Sequence, residues 1–222
     1  MVIVLLGPPG AGKGTQAPVL AEWFNVPILA SGDLLRAVAA GPTALGAEVA
    51  AIMQRGDLVP DETIVRIFLD RLDQPDAAGG AILDGFPRTP WQAEALDRAL
   101  AERSSRVDAA ILIDVPTEDL VARMTSRLIC RAGGHVYNVR TNPPRTPGIC
   151  DHDGSELYQR ADDAEATVRA RLVAQLEPLA AVVAHYRAAG VLFLVDGRQP
   201  IDAVTASVLT ALPTPTGETA AG

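Results

Sequence analysis

The sequence contains one lysine among its 222 residues, against eighteen arginines. Acidic residues outnumber basic ones by 27 to 19, which leaves a formal net charge of −8. Only 4% of the residues are aromatic, and they are not interleaved with basic ones in any tract. Proteins that bind nucleic acid usually carry a basic patch or such a tract, so the composition argues against a nucleic-acid partner.

Cysteines and long apolar runs are also scarce. Two cysteines, Cys130 and Cys150, are too few for a disulfide framework. No apolar run approaches the roughly 20 residues of a membrane-spanning helix, and no charged region precedes the apolar N-terminus as in a secretory signal. We therefore expect a cytoplasmic protein with no membrane partner. Its length suits one α/β domain with an insertion, or two small domains.

Residues 7–15, GPPGAGKGT, form a glycine-rich loop around the single lysine. The loop lies between a short apolar strand pattern and an apolar-periodic helical pattern, which is the context of a phosphate-binding loop. Glycines let backbone amides approach an anion, and a helix N-terminus favours negative charge. The slim ammonium of Lys13 can reach the β- and γ-phosphates where a planar guanidinium would not fit. Thr15, separated from Lys13 by Gly14, is expected to bind Mg²⁺.

Strand and helix patterns alternate along the chain. Strands are predicted at 2–6, 27–29, 81–83, 109–115 and 191–195, and helices at 33–40, 44–55, 61–72, 90–102, 117–128, 162–188 and 201–210. This alternation predicts an α/β fold of the P-loop type, with a five-stranded parallel sheet covered by helices on both faces and ligands at the carboxyl ends of the strands. Residues 129–160 break the pattern and are predicted to form a small irregular or β-rich insertion. Residues 211–222 are rich in Pro, Thr and Gly, and we expect a disordered tail.

Two motifs directly follow predicted strands. In DGFPR (84–88), Asp84 lies at the carboxyl end of a strand, where a carboxylate beside a phosphate loop can hold a Mg²⁺-bound water. Gly85 would permit close approach, and Pro87 would fix the turn that presents Arg88. The alternative is an ordinary turn with a capping aspartate. In SGDLLRA (31–37), Ser31 or Asp33 is the predicted helix N-cap, and Arg36 lies one turn later.

Arginines recur at spacings that would cluster them. Arg123 and Arg127 are four apart on the helix that Thr117 is predicted to cap, so they would share a face. Arg160 and Arg171 are eleven apart, and would share a face if one helix covers both. Each pair alone would more often be a solvated surface. Taken together, the candidate cations are Lys13, Arg36, Arg88, Arg123, Arg127, Arg160 and Arg171.

Seven cations suit a reaction that joins two polyanions, such as phosphoryl transfer from ATP to a nucleoside monophosphate. This chemistry depends mostly on positioning and electrostatics. The acceptor phosphate oxygen is already ionised near neutral pH, so no general base is required. The three histidines, His135, His152 and His185, are accordingly expected to be structural or surface residues.

Several long motifs, in this order, resemble the bacterial long form of the adenylate kinase family: GPPGAGKGTQA, SGDLLRA, RGDLVPDE, LDGFPRTPWQAEAL, YNVRTNPP and ELYQRADDAEATVRARL. The resemblance covers residues 1 to about 210. It implies a monomeric phosphotransferase that converts Mg-ATP and AMP into two ADP, with Mg²⁺ as cofactor. It also implies an AMP-binding helical region near 30–59 and a lid near 126–163, which closes over the substrates so that water cannot accept the phosphoryl group.

The resemblance also assigns roles to individual residues. It implies ATP binding by Gly10, Ala11, Gly12, Lys13, Gly14, Thr15, Arg123, Arg127, Val136, Tyr137 and Gln199. It implies AMP binding by Ser31, Arg36, Asp57, Leu58, Val59, Gly85, Phe86, Pro87, Arg88, Gln92, Arg160 and Arg171. It implies catalytic roles for Lys13, Asp84, Arg88, Arg123, Arg127, Arg160 and Arg171. Asp162 and Asp163 would either brace Arg160 and Arg171 or cap a helix.

The lid departs from the zinc-binding pattern of the family, which has four ligands. The matching positions here are Cys130, Gly133, Cys150 and Asp153, so one ligand is missing. His135 lies two residues after Gly133 and could replace it, because a Cys₂HisAsp set still allows tetrahedral coordination. A disulfide between the two cysteines and a metal-free lid with two thiols are the alternatives that remain open.

Two other functions are compatible with parts of the sequence. The first is a kinase for another nucleoside monophosphate, CMP, UMP or GMP, although Arg88 and Gln92 favour adenine by resemblance. The second is a nucleotide-dependent switch, which would use the phosphate loop to change shape. A switch needs only one nucleotide pocket, and it has no use for a second one built around Arg36, Arg88, Arg160 and Arg171.

Overall fold

The computed structural model of the protein describes residues 1–55, 59–160 and 163–212. Its strands are β1 Val2–Leu6, β2 Ile28–Ala30, β3 Ala81–Asp84, β4 Val107–Asp114, β5 Arg127–Cys130, β6 Val136–Asn138, β7 Leu157–Tyr158 and β8 Leu192–Asp196. Its α-helices are α1 Lys13–Phe24, α2 Ser31–Ala40, α3 Ala44–Arg55, α4 Asp61–Leu72, α5 Pro90–Glu102, α6 Thr117–Thr125, α7 Glu165–Ala188 and α8 Ile201–Ala211. Asp57, Leu58, Asp162 and residues 213–222 of the predicted tail lie outside the described residues.

Five parallel strands form the main sheet, in the order β2-β3-β1-β4-β8. This confirms the predicted α/β fold with a five-stranded parallel sheet. β1 is buried along its whole length, as expected of a strand that helices cover on both faces. The register pairs Leu5 of β1 with Asp84 of β3, and Asp84 with Ala30 of β2. The three strands therefore end level at one edge of the sheet, and the segments that follow them begin side by side.

The core of the main sheet consists of apolar side chains from strands and helices. Val4 and Leu83 are completely buried and belong to one cluster with Phe68 of α4, Leu96 of α5 and Tyr186 of α7. Burial of each such side chain contributes about 1.5–3 kcal/mol to stability. This packing anchors α4 and α5, the helices on either side of β3 in the chain.

Residues 127–158 contain a separate three-stranded antiparallel sheet, in the order β6-β5-β7. A small cluster of buried side chains, from Cys130, Tyr137, Cys150 and Leu157, packs within it. The segment predicted to be irregular or β-rich is therefore β-rich at its core. Both cysteines lie in that small core, where their side chains can contact groups from other parts of the insertion.

Two predictions about helices are wrong. The helix predicted over 117–128 ends at Thr125, and Arg127 lies in β5. Arg123 and Arg127 therefore share no helical face, because strand pairing with β6 overrides the local apolar period. The helix predicted over 162–188 begins at Glu165. Arg160 precedes it, so Arg160 and Arg171 do not share a helical face either.

The predicted side-chain caps are also absent from two helices. The N-cap residue of α2 is Ala30 and that of α6 is Pro116, and neither accepts a capping hydrogen bond through its side chain. Ser31 instead accepts a hydrogen bond from Arg88, and Asp33 pairs with Arg36. These two polar side chains are thus used in contacts with arginines rather than at the helix end.

The described chain divides into two compact units. The first consists of 1–7, 12–114 and the described residues from 178 onward, and the second of 8–11 and the described residues of 115–177. The second unit is larger than the lid expected at 126–163, because it also contains α6 and the first part of α7.

No single helix among the described residues is long and apolar enough to span a membrane. One pair, Ser31–Ala40 with Ala44–Gln54, meets the length and hydropathy criteria only when the two helices are taken together, and a 119° bend separates them.

Candidate functional site

The phosphate loop connects β1 to α1. Gly10 and Gly12 have φ angles of 85° and 105°, which residues with a side chain rarely adopt. Gly10 also lacks room for a side chain, since a Cβ there would lie 2.9 Å from Cγ of Met124. Gly12 is the N-cap residue of α1, so the first unpaired amides of the helix face the end of the loop. The loop therefore presents backbone donors to an anion.

Lys13 is the first residue of α1, and its ammonium donates a 2.7 Å hydrogen bond to the carbonyl of Gly7. Burial lowers the pKa of Lys13, the carboxylate of Asp84 opposes this shift, and Arg88 adds to it. Burial raises the pKa of Asp84, while Lys13 and Arg88 act in the opposite direction. Lys13, at the start of α1, and Asp84, at the end of β3, thus lie close enough to influence each other's charge.

Arg88 lies in the loop after β3 and contacts the first residue after β2. Its Nε donates to the carbonyl of Gly85 at 2.7 Å, and its Nη2 donates to Oγ of Ser31 at 3.0 Å. Gly85 has a φ of 75°, and a Cβ on it would lie 2.7 Å from that Oγ and 3.0 Å from that Nη2. The absence of a side chain at Gly85 therefore permits the close approach of Arg88 to Ser31.

The other residues expected to bind AMP differ in their accessibility. Arg36 is exposed on α2 and forms an ion pair with Asp33. Val59 is 8% exposed and packs in a cluster beside α3 and α4, so it offers a ligand mainly its backbone. Phe86 is 1% exposed and stacks on Phe68 with the ring centroids 4.1 Å apart. The side chain of Phe86 supports the loop from the core side.

Gln92 lies in the first turn of α5 and is 2% exposed. Its Oε1 accepts from the backbone N–H of Arg88 at 2.7 Å, and its Nε2 donates to Oδ1 of Asp61 at 2.8 Å. The other carboxylate oxygen of Asp61 accepts from Oγ1 of Thr89 at 2.7 Å. Thr89 in turn caps α5 by accepting from the N–H of Gln92. Sequence reasoning missed Asp61, because an acidic residue after Pro60 resembles an ordinary helix-start charge.

In the second unit, Arg127 and Asp163 form an ion pair. Nη2 and Nε of Arg127 donate to the two carboxylate oxygens at 2.5 and 3.0 Å. The side chain of Asp163 is fully buried and that of Arg127 is 21% exposed. A two-point pair of this kind is strong and directional, and removing one partner would leave a buried charge without compensation. Asp163 therefore braces Arg127, which differs from the two roles left open for it, the bracing of Arg160 and Arg171 or a helix cap.

The end of α6 is held to the strands of the small sheet by side-chain amides. Nδ2 of Asn138 donates to the carbonyl of Arg123 at 3.0 Å, and Nε2 of Gln159 donates to the carbonyl of Thr125 at 2.7 Å. These hydrogen bonds join the two points at which the chain enters and leaves the small sheet. Arg123 is thereby fixed through its backbone.

The remaining residues expected to bind a nucleotide differ in how far they are exposed to solvent. Arg160 is exposed before α7, and Arg171 is half-buried within it. Val136 is 57% exposed while Tyr137 is 5% exposed, so a ligand contact from this pair would use the backbone or Val136. Gln199 is exposed in the segment between β8 and α8.

The four candidate metal ligands come together in the second unit. The donor atoms of Cys130, His135, Cys150 and Asp153 all lie within 4.8 Å of one another. Nδ1 of His135 lies 3.2 Å from Sγ of Cys150, and Oδ2 of Asp153 lies 3.1 Å from Sγ of Cys130. Tetrahedral zinc with its usual bond lengths places its ligand atoms about 3.3–3.8 Å apart, so these separations suit it. Both cysteines are free thiols, so the disulfide alternative is not formed.

Gly133 and Ser155 prepare this cluster for a cation. A Cβ on Gly133 would lie 2.3 Å from Cε1 of His135, so the imidazole occupies the space that a residue with a side chain would fill. Burial raises the pKa of the Cys130 thiol, but hydrogen bonds with Ser155 and the Gly133 amide outweigh it and lower the pKa to about 7. Hydrogen bonds from Ser155 also lower the pKa of Asp153. Both groups therefore favour the deprotonated forms that bind metals.

Comparison with known proteins gives a consistent result. The model of the adenylate kinase family matches residues 5–191. The chain is 48% identical over 212 residues to the adenylate kinase of Moorella thermoacetica, which covers 96% of this chain and 98% of the relative. It is 48% identical over 207 residues to the adenylate kinase of Clostridium acetobutylicum, covering 92% and 95%. It is 45% identical over 213 residues to that of Streptomyces griseus, covering 96% and 97%.

Proposed function

The chain belongs to the adenylate kinase family and is an enzyme that transfers a phosphoryl group reversibly between ATP and AMP; we propose that it does so by positioning and neutralising phosphates, without a general base. The observation that carries this mechanism is the level ending of β1, β3 and β2. The phosphate loop, the loop with Asp84 and Arg88, and the segment with Ser31 and Arg36 follow these three strands. Two anion-binding surfaces with a carboxylate between them are what a transfer between two nucleotides needs.

On the ATP side, the amides of the phosphate loop and the ammonium of Lys13 bind the phosphates in this proposal. The hydrogen bond from Lys13 to the Gly7 carbonyl keeps the ammonium at the loop, and anionic phosphates favour its charged form. Thr15 and Asp84 would hold Mg²⁺, Thr15 directly and Asp84 through water. The metal ion would arrive with ATP and would supply positive charge at the phosphates.

On the acceptor side, Arg88, Arg36 and Ser31 bind the AMP phosphate in this proposal. In the described structure Arg88 donates to Gly85 and Ser31, and Arg36 pairs with Asp33. Neutral partners thus hold the guanidinium of Arg88, and a carboxylate holds that of Arg36, until a phosphate binds. For Arg88 the exchange is favourable, since a phosphate is charged whereas a hydroxyl or a carbonyl is not. No proton has to leave the acceptor oxygen, which is consistent with the absence of a histidine from these loops.

Four arginines of the second unit are also proposed to bind the nucleotides: Arg123, Arg127, Arg160 and Arg171. Their roles at the nucleotides, and that of residues 126–163 as a lid, stay predictions. The bracing of Arg127 by Asp163 supports a defined task for this guanidinium, because an ion pair with a fully buried carboxylate fixes its direction. We also propose a cytoplasmic monomer that acts on ATP, AMP and ADP, with no membrane or nucleic-acid partner.

A two-substrate assay tests the function. Purified protein with Mg-ATP and AMP should form two ADP per turnover, and kcat/KM with CMP, UMP or GMP should be lower by about 100-fold or more, as expected where polar groups recognise the base. The rate is followed by chromatographic separation of the nucleotides. ATP without AMP should be hydrolysed far more slowly than it is transferred.

Two results would contradict the proposal. A similar kcat/KM with another monophosphate would favour the alternative kinase, which the comparisons do not support. Failure of a linked ATP–AMP mimic to bind more tightly than ATP would indicate a single nucleotide pocket, as in a switch.

We further propose that the cluster of Cys130, His135, Cys150 and Asp153 binds a structural zinc ion. The set supplies two sulfurs, one nitrogen and one oxygen, a combination that suits tetrahedral zinc. The distances between the donor atoms and the lowered pKa values of Cys130 and Asp153 support this. The ion would join two separate turns, one after β5 and one before β7, and so stabilise the small sheet.

Zinc removal should lower the melting temperature. The purified protein is expected to contain about one zinc per chain by elemental analysis. Chelation should lower Tm by about 10 °C, since a tightly bound ligand contributes about 4 kcal/mol and each kcal/mol shifts Tm by about 2–4 °C at this chain length. His135→Ala should lose the metal. His152→Ala is the matched control and should keep the metal. The ring of His152 stacks on that of His135, with the ring centroids 4.3 Å apart, but His152 is not one of the four proposed ligands. No bound zinc and no shift in Tm would discard the proposal.

A further inference from the structure

We infer that Asp61 is a positioning residue for base recognition, because it holds the amide of Gln92 in one orientation. The inference rests on the proposed function, in which Gln92 contacts the base of AMP. Asp61 is the first residue of α4 and is not itself proposed to touch the nucleotide. Its effect on the reaction would pass through Gln92, to which it is joined by a 2.8 Å hydrogen bond.

The amide of Gln92 is held at both ends by groups whose hydrogen-bonding roles cannot be exchanged. The carboxylate of Asp61 only accepts hydrogen bonds, and the backbone N–H of Arg88 only donates them. A flip of the amide by 180° would place its carbonyl against the carboxylate and its NH₂ against that N–H. Both contacts would then be repulsive, in a place where Gln92 is only 2% exposed and water offers little compensation. One orientation is therefore selected.

This orientation matters for the choice of base. A primary amide has two N–H donors and two acceptor lone pairs, and Asp61 and Arg88 each use one of them. One N–H donor and one acceptor lone pair of Gln92 remain for a ligand. The hydrogen bonds with Asp61 and Arg88 determine on which side of the amide each of them lies. Adenine presents an amino donor where guanine presents a carbonyl acceptor. A locked amide can therefore match one of these bases and not the other, whereas a freely flipping amide could match both.

Thr89 extends the same network. Its hydroxyl donates to the second oxygen of Asp61 at 2.7 Å, and it also caps α5, on which Gln92 lies. Asp61 is thus held by two donors from the start of α5, so its carboxylate cannot rotate freely. The start of α4 and the amide of Gln92 are fixed relative to each other.

The chain offers a matched control for a purely structural role. Asp73 follows the last residue of α4, and both of its carboxylate oxygens accept from Arg103 at the end of α5, at 2.8 Å each. Asp61 and Asp73 therefore join the same two helices, one at their starts and one at their ends. A helix of this length separates the two carboxylates by about 18 Å, so Asp73 is far from Gln92.

The test compares Asp61→Asn with Asp73→Asn in the intact enzyme. In Asp61→Asn the side chain that faces Gln92 is an amide, which can present either an acceptor oxygen or a donor NH₂, so it no longer enforces one orientation of Gln92. We expect KM for AMP to rise about tenfold, the cost of one hydrogen bond to a charged acceptor, with KM for ATP within about twofold of wild type. The ratio of kcat/KM for AMP to that for GMP should fall about tenfold. Asp73→Asn should leave both KM values and this ratio unchanged.

A double-mutant cycle shows whether Asp61 acts through Gln92. Gln92→Leu alone should raise KM for AMP, and in that background Asp61→Asn should raise it no further, because coupled residues are not additive. Melting curves of all variants ensure that each is assayed while folded. If Asp61→Asn does not fold, Thr89→Val is measured instead: it removes the donor to the other oxygen of Asp61, and a rise in KM for AMP alone supports the inference.

The inference is overturned by an unchanged KM for AMP, by an equal rise in KM for ATP, by an equal effect of Asp73→Asn, or by additive effects in the cycle. Failure of the proposed function is distinguishable from all of these. In that case the wild-type enzyme itself would form no ADP from ATP and AMP, before any variant is compared.

Discussion

Replacing Lys13 by methionine is expected to lower kcat by about 10²–10³ while the fold stays intact, because the change removes a charge that acts on the transferring phosphoryl group. The methionine side chain keeps most of the apolar stem of the lysine, so packing at the start of α1 changes little. The main loss is the ammonium that donates to the Gly7 carbonyl at the phosphate loop. Steady-state kcat at saturating ATP and AMP measures the effect, and a melting curve checks the fold.

Two further variants separate this effect from a general loss of charge. Arg106→Met also removes one positive charge, but the side chain of Arg106 is 85% exposed, and kcat should equal that of wild type. Lys13→Arg restores the charge with a wide, planar group, and we expect it to recover less than about a tenth of the activity. A Lys13→Met enzyme that retains more than about a tenth of kcat would show that the assignment of Lys13 is wrong.

Replacing Arg88 by alanine should raise KM for AMP by about 100-fold, the loss of two charge-assisted hydrogen bonds, and change KM for ATP far less. The guanidinium of Arg88 is held by Gly85 and Ser31 at the ends of β3 and β2, which is the acceptor side of the proposed site. Initial rates with each nucleotide varied in turn give the two KM values.

Ser31→Ala is the control for this prediction. It removes the hydroxyl that accepts from Arg88 but leaves the guanidinium and its contact with Gly85. We expect a rise in KM for AMP of about threefold to tenfold, as for the loss of one hydrogen bond. Equal effects of Arg88→Ala on the KM values of AMP and ATP would mean that this side chain does not define an acceptor pocket.

Much of the fold could be predicted from local patterns. The five predicted strands of the main sheet all exist, and their observed bounds differ by at most two residues at either end. Buried parallel strands produce continuous apolar runs, which are easy to recognise between helical patterns. The glycine loop with Lys13 was predicted for a related reason. Its conformation depends on positive φ angles and on a helix N-terminus, and both are properties of consecutive residues.

The errors arose where distant residues compete with a local pattern. The apolar period of residues 117–128 continues through Arg127, yet the chain leaves the helix at Thr125. From Arg127 it pairs with Asn138 across the small sheet instead. Backbone hydrogen bonds to a strand several residues away are not visible in the period of one segment. The predicted shared face of Arg123 and Arg127 failed for that reason.

The contacts that orient the functional groups could not be predicted for the same reason, because they join residues that are distant in the sequence. Gln92 and Asp61 are 31 residues apart, and Arg127 and Asp163 are 36 apart. The four residues of the proposed zinc site were identified from spacing, but their distances depend on the turns of the small sheet. The sequence alone determined which residue types were available to bind phosphate, base and metal, because loop geometry and charge depend on short segments of consecutive residues. Only the tertiary structure decided which of them meet and in which orientation, because directional hydrogen bonds between distant segments form only after the strands and helices have packed.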